Sequence, residues 1–201
     1  MLTATMTKEM PEAPALGAEP IRGQGDRFIH PEAILRLIDL PAGSQVGHFG
    51  CGNGYFTFAA ARQVGDMGRV YAIDVQRGIL EQVKKEARLE NLANIETIWS
   101  DLEIPGATVI PARSLDIVLA VNVIFQIKAK RTFLEEAKRL LKDGGEILLV
   151  DWKKEKNHFG PPLEMRVSPD EARQLALDTG FSEKSTFEAG KYHYGMLFVK
   201  K

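Results

Sequence analysis

The segment Gly50-Cys51-Gly52-Asn53-Gly54 has the residue types and spacing best suited to chemistry in this chain. It follows a short β-rich run, Gln45 to Phe49, and leads into Tyr55 to Val64, a run of helical character. Three glycines at a strand-to-helix turn remove the side chains that would keep a ligand away from the backbone. Asp74 ends the next β-rich run, about 20 residues beyond the turn, where an acidic side chain can hold two ribose hydroxyls. Together the two features point to an adenosine-bearing cofactor. The dinucleotide fingerprint is Gly-x-Gly-x-x-Gly, but here the third glycine, Gly54, comes one residue early and Tyr55 takes the dinucleotide position. That spacing favours a cofactor without a pyrophosphate. Cys51 lies inside the turn, where a small side chain fits; with no paired base in view, packing is its expected role.

The elements that must position these residues alternate along the chain. From Phe28 onward, short β-rich runs exchange with helical stretches, a pattern that implies a parallel sheet with crossover helices. His30-Pro31-Glu32 opens a helix with Ala33, Ile34, Leu37 and Ile38 at helical spacing, expected to cover one side of the glycine turn. Strands are predicted at Gln45 to Phe49, Arg69 to Val75, Ile95 to Trp99, Leu115 to Val121 and Glu146 to Asp151. The fourth is almost continuously apolar, as a central strand buried on both faces must be. Between them lie an amphipathic helix, roughly Gly78 to Leu89, and another marked by Phe133, Leu134, Ala137, Leu140 and Leu141 that stops at Asp143-Gly144-Gly145. Ser168-Pro169-Asp170-Glu171 combines a capping serine, a first-turn proline and a capping-box glutamate, so a helix starts there and ends near Gly180. Glu183 to Glu188 and Gly195 to Lys200 are read as a closing antiparallel pair. The expected fold is therefore α/β: a Rossmann-like, doubly wound, mostly parallel seven-stranded sheet with a C-terminal antiparallel strand and helices on both faces.

Composition sets outer bounds. With 201 residues, 44% hydrophobic and 26% charged, the chain suits one domain, read here as residues 21–201 behind a flexible, Ala- and Pro-rich tail at 1–20. Twenty-six basic against 27 acidic residues leave no basic excess for nucleic acid or an anionic membrane. No stretch reaches the roughly 20 apolar residues of a membrane span, and no signal peptide is read. One cysteine and four scattered histidines (His30, His48, His158, His193) give neither a disulfide framework nor metal-ligand spacing. A cytoplasmic protein with no resident metal is expected. Nothing in the sequence addresses oligomeric state.

From His48 the chain reads HFGCGNG, which resembles the first motif of class I S-adenosylmethionine-dependent methyltransferases: an acidic residue, an apolar residue, then GCGxG. The resemblance runs from about Phe28 to Lys201. Leu140-Leu141-Lys142-Asp143-Gly144-Gly145 looks like the family's LLKPGG turn. More narrowly, AIDVQRGIL, NVIFQI, VDWKKE, GPPLEMRVS and DTGF look like small bacterial and archaeal members akin to the ubiquinone/menaquinone-pathway and arsenite methyltransferases. The resemblance implies S-adenosylmethionine as cofactor and S-adenosylhomocysteine as product. It places the cofactor on Gly50, Cys51, Gly52 and Gly54, the ribose at Asp74 beside Val75, the adenine at Asp101 and Leu102 after Ser100, and the methionine end near Asn122 and His48. Arsenic chemistry does not fit, because Cys51 is the sole thiol.

Two positions depart from the family pattern. His48 stands where the family has Asp or Glu, and a neutral histidine brings no negative charge to the cofactor's ammonium end. A direct contact would lose roughly 1.5 to 3 kcal/mol and a water-mediated one less, the alternative being a ring that simply packs against the N-terminal helix. The loss is expected to grow as His48 protonates below about pH 6.5. Phe125 stands where relatives often place a histidine, removing one general base. Methyl transfer can proceed mainly by positioning, and a base matters only if the acceptor must lose a proton. On the expected acceptor side the remaining polar candidates are Asp151, Lys154, His158, Arg166, Tyr192 and His193, with Trp152, Phe159 and Tyr194 as an apolar wall. No catalytic residue is singled out. The leading reading is methyl transfer to a small molecule. A non-catalytic cofactor-binding or interaction protein on the same fold stays open because of His48 and Phe125, and a nicotinamide-dependent oxidoreductase is disfavoured by the early glycine.

Overall fold

A computed structural model of the protein describes residues 29–201. The expected tail at 1–20 and the first residues of the expected domain, 21–28, lie outside the described residues. Pro31–Leu37 forms α1, Gln45–Phe49 β1, Tyr55–Val64 α2, Arg69–Asp74 β2, Arg77–Leu89 α3 and Ile95–Trp99 β3. Then come Leu115–Val121 (β4), Lys130–Leu140 (α4), Leu141–Trp152 (β5), a 3-10 turn at Leu163–Met165, Pro169–Asp178 (α5), Phe181–Glu188 (β6) and His193–Lys200 (β7).

The seven strands form one sheet in the order β3-β2-β1-β4-β5-β7-β6. Strands β1 to β5 are parallel, and β7 runs antiparallel to both β5 and β6. The expected α/β fold is the observed one. Alternate residues of the central strands feed opposite faces, as the two-residue period of a strand requires. On one face Val46, Leu119, Leu148 and Val150 pack with Ile34 and Leu35 of α1 and Phe56, Ala60 and Val64 of α2. Leu80, Val83 and Ala87 of α3 extend that face over Ala72 and Phe58. On the other, Val118, Ala120, Ile147 and Leu149 meet Phe133, Leu134 and Ala137 of α4 and Ala172 and Ala176 of α5. Phe49 and Phe133 meet edge to face, ring centroids 5.4 Å apart.

Strand order reverses between β1 and β4, and ligands of open α/β sheets bind at the carboxyl ends of strands beside such a switch. The glycine turn follows β1 and Asn122 follows β4, so the fold brings both to that place.

Several element boundaries differ from expectation. Leu141 fits the apolar spacing of α4, yet it begins β5 and pairs with Leu115; the chain then turns through Gly144 (φ 74°) and rejoins β4 at the Ile117–Glu146 pair. Strand β2 stops at Asp74, not Val75, because the Asp74 carboxylate accepts the Gln76 amide at 2.9 Å and turns the chain. β6 and β7 each begin two residues earlier than read, at Phe181 and His193.

The capping box at α5 is present in full: Ser168 Oγ accepts the Glu171 amide at 3.2 Å, and Glu171 accepts the Ser168 amide at 2.7 Å. Ser168→Ala is expected to destabilise the protein by about 1 kcal/mol. The effect should appear in urea unfolding as a lower midpoint with an unchanged slope.

Candidate active site

The turn after β1 is tied to the end of β2 by main-chain bonds. Gly50 and Cys51 both donate their amides to the Ile73 carbonyl, at 2.9 and 3.0 Å. The Gly52 amide donates to Asp74 Oδ2 at 3.1 Å, leaving Oδ1 for Gln76. Gly50 (φ 67°) could not carry a side chain, since a Cβ would lie 2.5 Å from Val123 Cγ2. At Gly54 (φ 80°) a Cβ would fall 2.9 Å from the Phe58 ring. Gly52 (φ 49°) differs: nothing lies within 4 Å of its Cβ position, so its backbone borders open space. Cys51 is buried, and burial reinforced by the Asp74 charge pushes its thiol up to about 12, which rules out a thiolate nucleophile at neutral pH.

The next two strand ends join this cluster. The Ser100 amide donates to the Asp74 carbonyl at 3.2 Å. Asp101 is exposed, and its Oδ1 accepts the Glu103 amide at 2.9 Å. Leu102 turns its side chain into the core, which leaves its main chain as the part able to face a ligand. Val75 is 55% exposed beside the buried Asp74. Sequence reasoning missed the clasp that fixes this corner: Trp99 Nε1 donates to the Val75 carbonyl at 2.9 Å, and the Arg77 guanidinium lies 3.9 Å over the Trp99 ring. Asn122 holds φ at 52°, a left-handed conformation that costs a non-glycine residue of the order of 1 kcal/mol. Its amide donates to the Val150 carbonyl at 2.8 Å, while its buried Oδ1 has no partner. Ser100 Oγ is likewise buried and unpartnered. Such orphans are rare in folded proteins and mark places where a ligand's polar groups fit.

Of the readings of His48, the packed ring is the one the contacts resemble, with α2 as its neighbour. Its ring is buried on the α1/α2 face, with Nδ1 2.7 Å from Thr57 Oγ1 and the ring tilted against Phe56. Burial pushes its pKa from 6.5 down to about 3, so protonation near pH 6.5 is not available to modulate anything. Nothing but topology connects His48 with Thr57, nine residues on in α2, and the sequence carries no signal for the pair.

The acceptor-side candidates separate by their contacts. Asp151, 1% exposed, accepts the amides of Ile124 (3.0 Å), Phe125 (3.4 Å) and Trp152 (2.7 Å), fixing the segment after β4 to the end of β5. Desolvation pushes its carboxyl up to about 6 against those bonds. Lys154 pairs with Glu171 at 3.1 Å. Tyr194 is buried and donates its hydroxyl to the Val167 carbonyl at 3.2 Å, so it belongs to the core and not to an acceptor wall. Arg166 is 4% exposed and spends all five N–H donors on the loop before it: Nε on the Pro161 carbonyl, Nη1 on those of Lys153 and Glu155, Nη2 on the Asn157 amide oxygen and the Phe159 carbonyl. His193 packs on Trp152 with ring centroids 4.1 Å apart. Phe159 and Tyr192 stack at 5.3 Å, and His158 is exposed. A cavity of about 350 Å³ is lined by residues 155–163 and Arg166. A larger one, about 520 Å³, lies at the amino ends of the strands, away from the glycine turn. No group of His, Cys, Asp and Glu among the described residues could hold a metal ion.

Residues 42–190 match the family model described as a methyltransferase domain. The chain belongs to that family. It is 42% identical over 94 residues to aklanonic acid methyltransferase DauC of Streptomyces sp. (strain C5), covering 45% of this chain and 41% of that protein. To demethylmenaquinone methyltransferase of Geobacillus sp. (strain WCH70) it is 25% identical over 121 residues, covering 60% of this chain and 50% of that one. The chain thus spans half or less of these curated relatives. A crystal structure of an S-adenosylmethionine-dependent methyltransferase from Aquifex aeolicus superposes with a TM-score of 0.81 at 29% identity, covering 87% of this chain and 91% of that one.

Buried His48 has a consequence for acid stability. Its folded pKa lies below its unfolded value, so its contribution is present above pH 6.5 and is lost as pH falls toward 3. Between pH 6.5 and 5 the loss is about 2 kcal/mol. Wild type should therefore lose about that much more stability than His48→Gln when urea midpoints at pH 7 and pH 5 are compared. His193, which titrates in the same direction, and Asp151, which titrates in the opposite one, are common to both proteins and cancel.

Proposed function

We propose that this protein transfers the methyl group of S-adenosylmethionine to a small organic acceptor. The reading is carried by the glycine turn whose open residue, Gly52, is bonded to the Asp74 carboxylate at the switch point of the sheet. The donor set suits the cofactor. Asp74 would hold the ribose, exchanging its bonds to the Gly52 and Gln76 amides for hydroxyls or sharing with them; Val75 would supply an apolar wall for the adenine. Asp101 and the main chain of Leu102 would receive the adenine edge. Gly50, Cys51 and Gly54 shape the turn, and the unpartnered Oδ1 of Asn122 would meet the cationic methionine end. His48, bonded to Thr57, would act there by packing under the turn, without charge.

When bound, S-adenosylmethionine supplies an electrophilic methyl group and leaves as S-adenosylhomocysteine. The chain's residues bind, orient and exclude water; the buried carboxylate and guanidinium of the acceptor side are already committed. Asp151 is committed to three amides and Arg166 to five oxygens. Positioning then carries the rate, which is sufficient for an acceptor that does not need to lose a proton in the step. No helix among the described residues is long and apolar enough to cross a membrane, and the buried thiol suits a reducing compartment; we place the protein in the cytoplasm.

S-adenosylhomocysteine should raise the melting temperature in proportion to the logarithm of its concentration, and NAD should not. Asp74→Ala should weaken S-adenosylhomocysteine binding roughly tenfold to a hundredfold by calorimetric titration, the size of a lost charge-assisted hydrogen bond. Stabilisation by NAD alone would overturn the reading. Tight S-adenosylhomocysteine binding with no cofactor-dependent methylation across a broad acceptor panel would favour a non-catalytic cofactor-binding protein.

A further inference from the structure

The loop from Lys153 to Pro162 is closed over the ends of β5 and β7 by one cation. Arg166 is 4% exposed and has given every N–H to a carbonyl or amide oxygen, so no carboxylate neutralises it. Carbonyl dipoles solvate a guanidinium without cancelling its charge, and a buried, uncompensated charge is costly. The other charged residues of the cavity lining, Glu155 and Lys156, are both exposed and of opposite sign, and Lys153 pairs with the outlying Glu188.

A second, independent feature lies against the same loop. His193 is 1% exposed and neither of its ring nitrogens has a hydrogen-bond partner. Its neighbour Trp152 is contacted on the loop side by Gly160, where a Cβ would fall 2.6 Å from the indole, and the Arg166 guanidinium lies 5.6 Å from the same ring. Burial and the charges of Arg166 and Lys153 hold His193 neutral, with a pKa pushed down to about 4, so it offers one donor and one acceptor without adding charge. Trp152 and His193 are paired at the carboxyl ends of the sheet, and Asn122 donates to Val150, two residues before Trp152. Strand spacing puts His193 about 12 Å from Asn122, the length of a small molecule.

We infer that the cavity lined by residues 155–163 and Arg166, backed by Trp152 and His193 behind the loop, is the acceptor subsite, and that it selects a small, largely apolar acceptor bearing an ionised carboxylate. The inference rests on the methyl-transfer reading for the word acceptor; the anion selectivity stands on Arg166 and His193 alone. A carboxylate replaces two of the loop carbonyls on Arg166 with a bidentate, charge-assisted pair and neutralises the buried cation. With those two carbonyls released, the loop uncovers Trp152 and His193 behind Gly160: His193 supplies a neutral hydrogen bond, and Trp152 joins the lining residue Phe159 as apolar surface for the body of the molecule. An amine is rejected because it would add a second positive charge to the same recess.

The test uses the full chain and three isosteric probes: benzoate, benzamide and benzylamine. Binding is followed by NMR at the indole N–H groups of the chain's two tryptophans, one at each proposed site, with and without saturating S-adenosylhomocysteine. Benzoate should bind at least about tenfold more tightly than benzamide, benzylamine should not bind, and benzoate should shift Trp152 and leave Trp99 in place. Arg166→Lys should keep the preference for benzoate over benzylamine and Arg166→Gln should lose it. His193→Phe, which leaves every loop bond to Arg166 intact, should weaken benzoate and leave S-adenosylhomocysteine affinity unchanged. Failure of benzoate to bind, equal binding of benzoate and benzylamine, a shift confined to Trp99, or unaltered benzoate binding in His193→Phe would overturn the inference. Failure of S-adenosylhomocysteine to bind would sink the methyl-transfer reading instead, and the probe arms run without it would still judge the subsite.

Discussion

The carboxyl end of β2 holds the end of β1 in place, and the rest of the site depends on that junction. The Ile73 carbonyl takes two amides from the glycine turn, and Asp74 divides its oxygens between Gly52 and Gln76. Backbone curled this tightly needs positive φ at Gly50, Gly52 and Gly54, and a Cβ at Gly50 or Gly54 would collide with Val123 or Phe58. The turn is thus rigid where it is packed and open only at Gly52. Because Asp74 also stops β2 and starts α3 through Gln76, one carboxylate sets the turn, the strand end and the helix start together. Any ligand that engages Asp74 therefore meets a support whose geometry is already fixed, which lowers the ordering cost of binding.

Buried polar groups elsewhere follow two different rules. Glu136 and Asp151 are structural: Glu136 receives Arg139, Thr108 and the Gly106 amide, and Asp151 receives three main-chain amides, so each carboxylate is well satisfied. They fix the long β3–β4 loop and the segment after β4. Asn122, Ser100 and His193 have side-chain atoms without partners; Asn122 and Ser100 follow the carboxyl ends of β4 and β3, and His193, at the start of antiparallel β7, reaches the same edge, while Ser182 Oγ at the start of β6 is unpartnered on the other. Full satisfaction where the fold must be held, with three of the four residues that have unpartnered atoms at the carboxyl-end edge, is the distribution expected of a binding site.

The cofactor half was readable in the sequence because it is built from backbone, and backbone geometry leaves marks in residue type. Glycines at 50, 52 and 54 announce positive φ, and β1, α2, β3 and β4 fall on the expected residues. Leu141 was misplaced because an apolar residue at i, i+4 from Ala137 satisfies helical spacing, while its pairing with Leu115 is a non-local fact. The acceptor half was unreadable for a related reason. Four of the five partners of Arg166 are main-chain carbonyls, which every residue possesses, so they leave no trace in residue type; only Asn157 contributes a side chain. His48 likewise reads as a missing carboxylate until its Thr57 partner and dry surroundings appear.

The direction of β7 decides what the acceptor side contains. A parallel β7 would bring its last residues to the carboxyl edge of the sheet, placing Lys200 beside Trp152. Being antiparallel to β5, it brings His193 there instead, and Lys200 goes to the opposite edge, where its ammonium donates to the Leu141 carbonyl at 2.7 Å. The strand reversal thus keeps a second buried ammonium away from Arg166 and sets a neutral imidazole in its place. With Arg166 already uncompensated, a lysine at that position would have left two like charges in one dry recess, a juxtaposition that costs more than either alone. The antiparallel strand therefore does more than close the sheet: it keeps a further buried cation away from the loop that Arg166 ties down.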